Sequence, residues 1–299
     1  MRDRPLLLVG AQRSGTTALG YALSEAHASR RGCFTVNGKL FYLAARWLHA
    51  DDLAARHLRV DELCHALTRR RPGGAGAAET DHVFRLSGMM KALEDEGGHF
   101  FDHNRPPFVE VELKYHPKLD VTGPQKTVMV NPRVLEYETL ISLSQLKIHD
   151  TATVTMALKN IAMSFPAADY YGHPRSRQDH ENFFFADMHS FIAAMAERFP
   201  IDLAITVGHP AMIGSGPIGG HVVETGLAIA STDAVAADVV GARILGFWPQ
   251  GVRHLWEAGR MGLGEADLDA ISYPALDIID AIEVFTSIVY GERRDFRHV

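Results

Sequence analysis

Residues 138–160 read ETLISLSQLKIHDTATVTMALKN, and the fold turns on this stretch. Up to His149 it carries Leu140, Leu143 and Leu146 with small hydroxyls at Ser142 and Ser144, the pattern of a buried strand. From Thr151 onward it reads as a loop entering a helix, with Thr151 or Thr153 placed to cap the first turn. Charged groups at the end of a buried strand project into the crevice where α/β sheets take their ligands. Lys147, His149, Asp150, Lys159 and Asn160 all fall at that point, and His149 and Lys159 are expected to flank the crevice. The structural alternative is that both lysines snorkel at the rim and His149 is a satisfied core histidine.

Outward from this stretch, strands and helices alternate. HVFRLSGMMKALEDEGG predicts an amphipathic helix ending at Gly97 and Gly98, and HFFDHNRPPFVEVEL a strand, a proline-stiffened turn and a second extended run. Downstream, FFFADMHSFIAAMAERFP predicts an amphipathic helix and LAITVGHPAM a buried strand leading into the glycine-rich GSGPIGG turn. Asp233 is placed to cap the helix after it. The segment PAADYYGHPRSRQDHENFFF lacks periodicity and is expected to form a loop over the crevice, carrying His173, Arg175, Arg177 and His180. The alternation predicts a three-layer α/β protein with a mostly parallel sheet.

The N-terminus adds a strand–P-loop-like–helix unit: an apolar strand from Pro5 to Val9, a glycine-bounded loop, and a helix from about Thr16. Backbone N–H groups and a helix dipole converge on such a loop and attract anions. Arg13, Ser14, Gly15, Thr16 and Thr17 are the candidate binding residues. The loop is not a Walker A motif, since no Lys-Ser/Thr pair follows its second glycine. The structural alternative is a turn whose glycines merely allow tight packing. The Pro72–Ala78 segment, rich in Gly, Ala and Pro, is a linker candidate and divides an N-terminal fragment, 1–71, from a larger α/β domain, 79–299.

With 46% apolar and 22% charged residues in 299, the chain has the composition of an ordinary globular protein. A net charge of -6 argues against a general nucleic-acid binder. Two cysteines, Cys33 and Cys64, are too few for a disulfide framework or a four-thiolate cluster, so both are expected to be reduced. No apolar run approaches a membrane span, and a cytoplasmic location without membrane contact is expected. The sixteen histidines are scattered without a metal-ligand spacing, so no metal ligand is assigned. Pairs such as His99 with His103, or His180 with His189, are expected at the surface.

The strand ending in Lys147-x-His149, the Lys159-Asn160 pair, the loop from Met212 to Pro217, the segment from Ala230 to Asp238 and the ending HLWEAGRMGLGEADLDAI resemble the family catalogued as domain of unknown function 362, over about residues 79–285. The resemblance implies that one histidine of the crevice loop, His173 or His180, faces the site. It also exposes a departure, since relatives commonly carry acidic residues where Val207 and Ile213 stand. The spacing from His149 to Lys159 is similar to one in lactate racemases, although their early His-rich motif has no clear counterpart here. RSGTT after an apolar strand resembles the sulfotransferase loop that holds the 5′-phosphosulfate of 3′-phosphoadenylyl sulfate, and GCFTVNGKLFYLAARWL is also similar to sulfotransferase sequence.

These features lead to the expectation of a small-molecule enzyme acting on a small anionic metabolite that bears sulfate or phosphate. Lys159 and His149 would supply acid–base chemistry, with Lys147, Asn160 and a histidine at 173 or 180 beside them. A lysine acts as a base where burial or a neighbouring cation lowers its pKa from about 10.4, and Lys147 is that cation. Other readings are sulfotransfer from 3′-phosphoadenylyl sulfate and a non-catalytic partner that stabilises another enzyme. A homo-oligomer or a partner protein fits any of them.

Overall fold

The computed structural model describes residues 85, 90–91, 99–114, 126–171, 187–216 and 220–291 together with the strand backbones at 6–10 and 32–36. Its centre is a mostly parallel sheet. In spatial order the strands are β10 (Ala228–Ser231), β8 (Leu203–Ile213), β6 (Thr139–His149), β1 (Leu6–Gly10), β2 (Gly32–Val36) and β3 (His99–Phe100). Along this path all neighbours are parallel except β10, which runs antiparallel to β8; off the path, the short β9 (His221–Val223) also pairs antiparallel with the end of β8. A separate antiparallel ribbon joins β4 (Val109–Glu112) to β5 (Thr127–Val130).

β6 is the central strand because both of its faces are covered, as the near-continuous burial from Leu140 to Lys147 shows. Its serines survive there because each has a partner. Ser142 Oγ donates to the Ala157 carbonyl, and the Ser144 and Thr206 hydroxyls pair at 2.8 Å across β6 and β8. Beyond Gln145 the pairing with β8 jumps: Val207 faces Gln145 but Met212 faces Lys147, so five steps on β8 match two on β6. The excess is a bulge containing Pro210, whose carbonyl accepts from Gln145 Nε2 at 2.9 Å. Bulges of this kind re-aim side chains near strand ends.

The predicted loop after His149 is instead a hairpin. β7 (Thr153–Thr155) folds back antiparallel onto Lys147–His149, with β-branched Thr153 at φ 62° taking the sharp return. The helix begins only at Ala157, so neither Thr151 nor Thr153 caps it: α1 (Ala157–Ser164) has Met156 at its N-cap and no capping side chain from its own segment. α2 (Ala168–Tyr171) is a single turn. α3 (Met188–Arg198) is capped by Asp187 and α4 (Ala234–Ile244) by Asp233, as expected for the latter. α5 (Arg253–Arg260) and α6 (Ile278–Tyr290) complete the described chain.

α1 packs on β6, α4 on β8 and β10, α3 and α5 pack together over them, and α6 lies on α4. At residues 85, 90 and 91 the backbone is helical, within the predicted 82–98 segment. No described helix is long and apolar enough to cross a membrane.

Candidate functional site

The carboxyl end of β6, the β7 hairpin and the start of α1 bring Lys147, His149, Lys159 and Asn160 into one region. Lys147 is 2% exposed, Lys159 7% and His149 8%, so neither lysine snorkels to a rim. Lys147 and His149, two residues apart on β6, share one side of the strand, opposite Ser142 and Leu146. Asn160 spends its amide protons on the sheet, donating from Nδ2 to Ser142 Oγ at 3.0 Å and to the Leu143 carbonyl at 3.4 Å.

α1 is held by a carboxylate from far along the chain. Asp238 of α4 accepts the Ala157 N–H at Oδ1 (2.8 Å) and the Leu158 N–H at Oδ2 (2.9 Å), satisfying two orphan donors of the first turn. Gly241, one turn further along α4, permits this approach, because a Cβ there would collide with Met156 Sδ. Asp238 is fully buried, and that burial pushes its carboxyl up to about 7 against the lowering effect of the two N–H groups.

His149 Nδ1 accepts the backbone N–H groups of Thr151 (3.1 Å) and Ala152 (3.3 Å). A ring nitrogen that accepts carries no proton, so the proton of neutral His149 sits on Nε2 and makes it a donor. The glycine-rich turn supports the same hairpin: Asp150 N–H donates to the Gly216 carbonyl at 3.1 Å. A Cβ at Gly216 would run into the Ile148 carbonyl, so this glycine serves the approach of the turn to β6.

Beside Lys159 the structure places a cluster that composition alone did not single out. His189 of α3, expected at the surface, is half-buried against His254 of α5, which is fully buried. Burial lowers His254 well below its usual value, with His189 and Lys159 adding to it. Burial also lowers His189; Arg253 and Lys159 act the same way, while Asp187 and a Thr151 backbone hydrogen bond oppose. Arg253 clamps α5 to α3 through Asp187 Oδ1 (3.1 Å) and Ser190 Oγ (2.6 Å), while Glu257 of its own helix accepts its Nε–H at 2.8 Å. His103 was likewise misplaced at the surface: it is 1% exposed and bonded through Nε2 to the Tyr137 hydroxyl at 3.2 Å. The only sequence signal for His254 was its place in the ending HLWEAGRMGLG.

Among the described residues no three His, Cys, Asp or Glu side chains converge to hold a metal ion. Arg13, Ser14, Gly15, Thr16, Thr17, His173 and His180 lie outside the described residues.

A family model described as domain of unknown function (DUF362) matches residues 60–243, more than half of the chain. The chain belongs to this family. The match takes in Lys147, His149, Lys159, Asn160, His189 and Asp238, and it starts upstream of the proposed linker and stops short of His254. The thylakoid-associated protein sll1697 of Synechocystis sp. (strain ATCC 27184 / PCC 6803 / Kazusa) is 27% identical over 175 residues, 56% of this chain and 53% of that protein. The chain therefore spans about half the length of this curated relative. No solved structure gives a significant match.

Proposed function

We propose that this DUF362 chain is a small-molecule enzyme that acts on a sulfate- or phosphate-bearing metabolite by Lys/His acid–base chemistry. The observation that carries the reading is the burial of Lys147, Lys159 and His149 at the carboxyl end of one central strand and the start of the next helix. Desolvating two lysines is costly, and groups so placed are concentrated at functional sites.

Each residue has a role in this reading. Lys159, in its amine form, takes the proton from an attacking hydroxyl, amine or carbon acid. The electron pair so released forms the new bond, or a double bond in an elimination, while the carbon–oxygen bond to sulfate or phosphate breaks and its pair leaves with the oxygen. His149 Nε2–H donates to a ligand oxygen, and Lys147 adds positive charge where negative charge develops. The sulfotransferase-like loop, Arg13 with Ser14, Gly15, Thr16 and Thr17, would hold the departing anion. In support, β1 runs parallel to β6 and ends at Gly10 beside Leu143, toward the carboxyl edge that carries Lys147 and His149.

The test is a thermal-shift series with sulfate, phosphate and adenosine 3′,5′-bisphosphate on the wild type and on Lys159→Ala. A ligand selective for the native state raises the melting point by mass action. Stabilisation by sulfate or phosphate that Lys159→Ala loses supports the reading, and no stabilisation by any of the three defeats it. Selective stabilisation by the bisphosphate would instead favour sulfotransfer from 3′-phosphoadenylyl sulfate.

A further inference from the structure

Gln145 is anchored by one end of its amide. Nε2 donates to the Pro210 carbonyl at 2.9 Å, and because a carbonyl can only accept, the other end of the amide is the oxygen. Gln145 Oε1 is buried and meets no donor among the described residues. The hydroxyl of Thr155 on β7 is in the same position, with Oγ1 buried and no hydrogen-bond partner among the described residues. Most buried polar atoms in folded proteins are paired, and leaving one unpaired is costly, so two together need a reason.

The strand registers put both atoms on one face. Gln145, Lys147 and His149 alternate along β6 and project to the same side. Thr155 lies directly across the β6–β7 ladder from Lys147, and residues so paired share a face. Gln145 and Thr155 are therefore diagonal neighbours with Lys147 between them. On β8, level with Gln145 and Lys147, stand Val207 and Met212, whose side chains carry no donor. Exposure falls along this row, from His149 (8%) and Thr155 (6%) to Lys147 (2%) and Gln145 (1%). The row thus leads inward from the carboxyl edge, the side on which α/β sheets take their ligands. A packing role explains Gln145 Nε2 but leaves Oε1 idle, and valine would suit the strand at 155 as well as threonine does.

Resting on the acid–base reading of the site, we propose that Gln145 Oε1 and Thr155 Oγ1 form a specificity subsite for a substrate hydroxyl beside Lys147. The substrate class is then a sulfate or phosphate ester that carries a free hydroxyl near its ester group. One hydroxyl satisfies both atoms, since it donates to Gln145 Oε1 and accepts from the Thr155 hydroxyl. Lys147 enters the acid–base reading as a cation, so a neutral hydroxyl is preferred there to an ammonium group. An ester without the hydroxyl leaves both buried groups unpaired, which is how a polar site rejects an analogue.

The experiment is a thermal-shift concentration series on the full chain with 2-hydroxyethyl phosphate and with ethyl phosphate, which differ by the hydroxyl alone. In the wild type the hydroxyl-bearing ester is expected to bind with a Kd roughly tenfold lower, the scale of one hydrogen bond. Thr155→Val should bind the two esters equally, and without ligand its urea midpoint should be no lower than that of the wild type. Thr155→Ser should restore the preference, and Gln145→Met should lose it. Equal affinity for the two esters in the wild type overturns the subsite and leaves the acid–base reading standing, because both esters still bind. A preference that persists in both Thr155→Val and Gln145→Met also overturns it. So does a ligand-free midpoint of Thr155→Val below the wild type, which would show that the hydroxyl already has a partner, such as an internal water. Stabilisation by neither ester overturns the subsite together with the reading beneath it.

Discussion

The Asp238 carboxylate bridges the first two N–H groups of the helix that carries Lys159, 2.8 Å from Ala157 N and 2.9 Å from Leu158 N, although the partners are about eighty residues apart in the chain. It performs as a tertiary contact what an N-cap side chain performs locally. Its loss should therefore act on α1 first, and through α1 on Lys159 and Asn160. Asp238→Ala is expected to lower stability by at least the ~0.5–2 kcal/mol of a lost cap, read by urea unfolding.

The same residue sets a pH dependence. Its carboxyl is raised to about 7 in the fold by burial, against about 3.9 in an unfolded chain. Between those values the native state binds the extra proton. Its contribution is thus complete below the unfolded value and is lost as pH rises through about 7. Asp238→Asn should flatten the fall of the urea midpoint between about pH 4 and 7; a wild-type midpoint that climbs over that window through this residue would contradict the assignment.

His103 works in the opposite sense. Burial, with Arg133 adding to it, lowers its ring to about 3, against about 6.5 unfolded. Its contribution is present above the unfolded value and is lost as pH falls toward about 3. The ring packs against Phe101, Tyr137 and Phe165, so His103→Phe keeps the aromatic cluster while removing the titration. The acid-unfolding midpoint of that variant should move to lower pH, as followed by circular dichroism.

Lys159 as a proton acceptor makes a charge-preserving substitution informative. Arginine stays protonated at any working pH. On an identified substrate, Lys159→Arg should lose activity nearly as completely as Lys159→Ala, by on the order of a hundred- to ten-thousand-fold, with both variants folded. Retention of most activity by Lys159→Arg would reduce Lys159 to an electrostatic anchor.

Arg13→Ala should abolish stabilisation by sulfate while leaving the melting point of the ligand-free chain nearly unchanged. Equal sulfate stabilisation in the variant and the wild type, measured by thermal shift, would remove the N-terminal loop from the site.

Much of the architecture was legible in local pattern. The apolar run of β6, the periodicity of α3, the buried run of β8 and the Asp233 cap all follow from neighbours within a few residues, and hydrophobic period and capping chemistry are local properties. The nomination of Lys147, His149 and Lys159 was legible for the same reason: charged groups stood out in an apolar, β-branched run. The cap of α1 was not legible, because Thr151 and Thr153 satisfy the local rule and were displaced by a hairpin whose ladder binds Lys147–His149. Only packing of α4 on α1, allowed by Gly241, decided that Asp238 would take the helix end. Likewise, no spacing in the sequence links His189 and His254. The sequence by itself determined an α/β chain of the DUF362 family with basic groups at a strand end; tertiary structure alone decided that the half-buried His189 meets the buried His254 and that His149 accepts at Nδ1. Hydrogen-bond direction and desolvation depend on which distant groups meet, and residue order does not encode that locally.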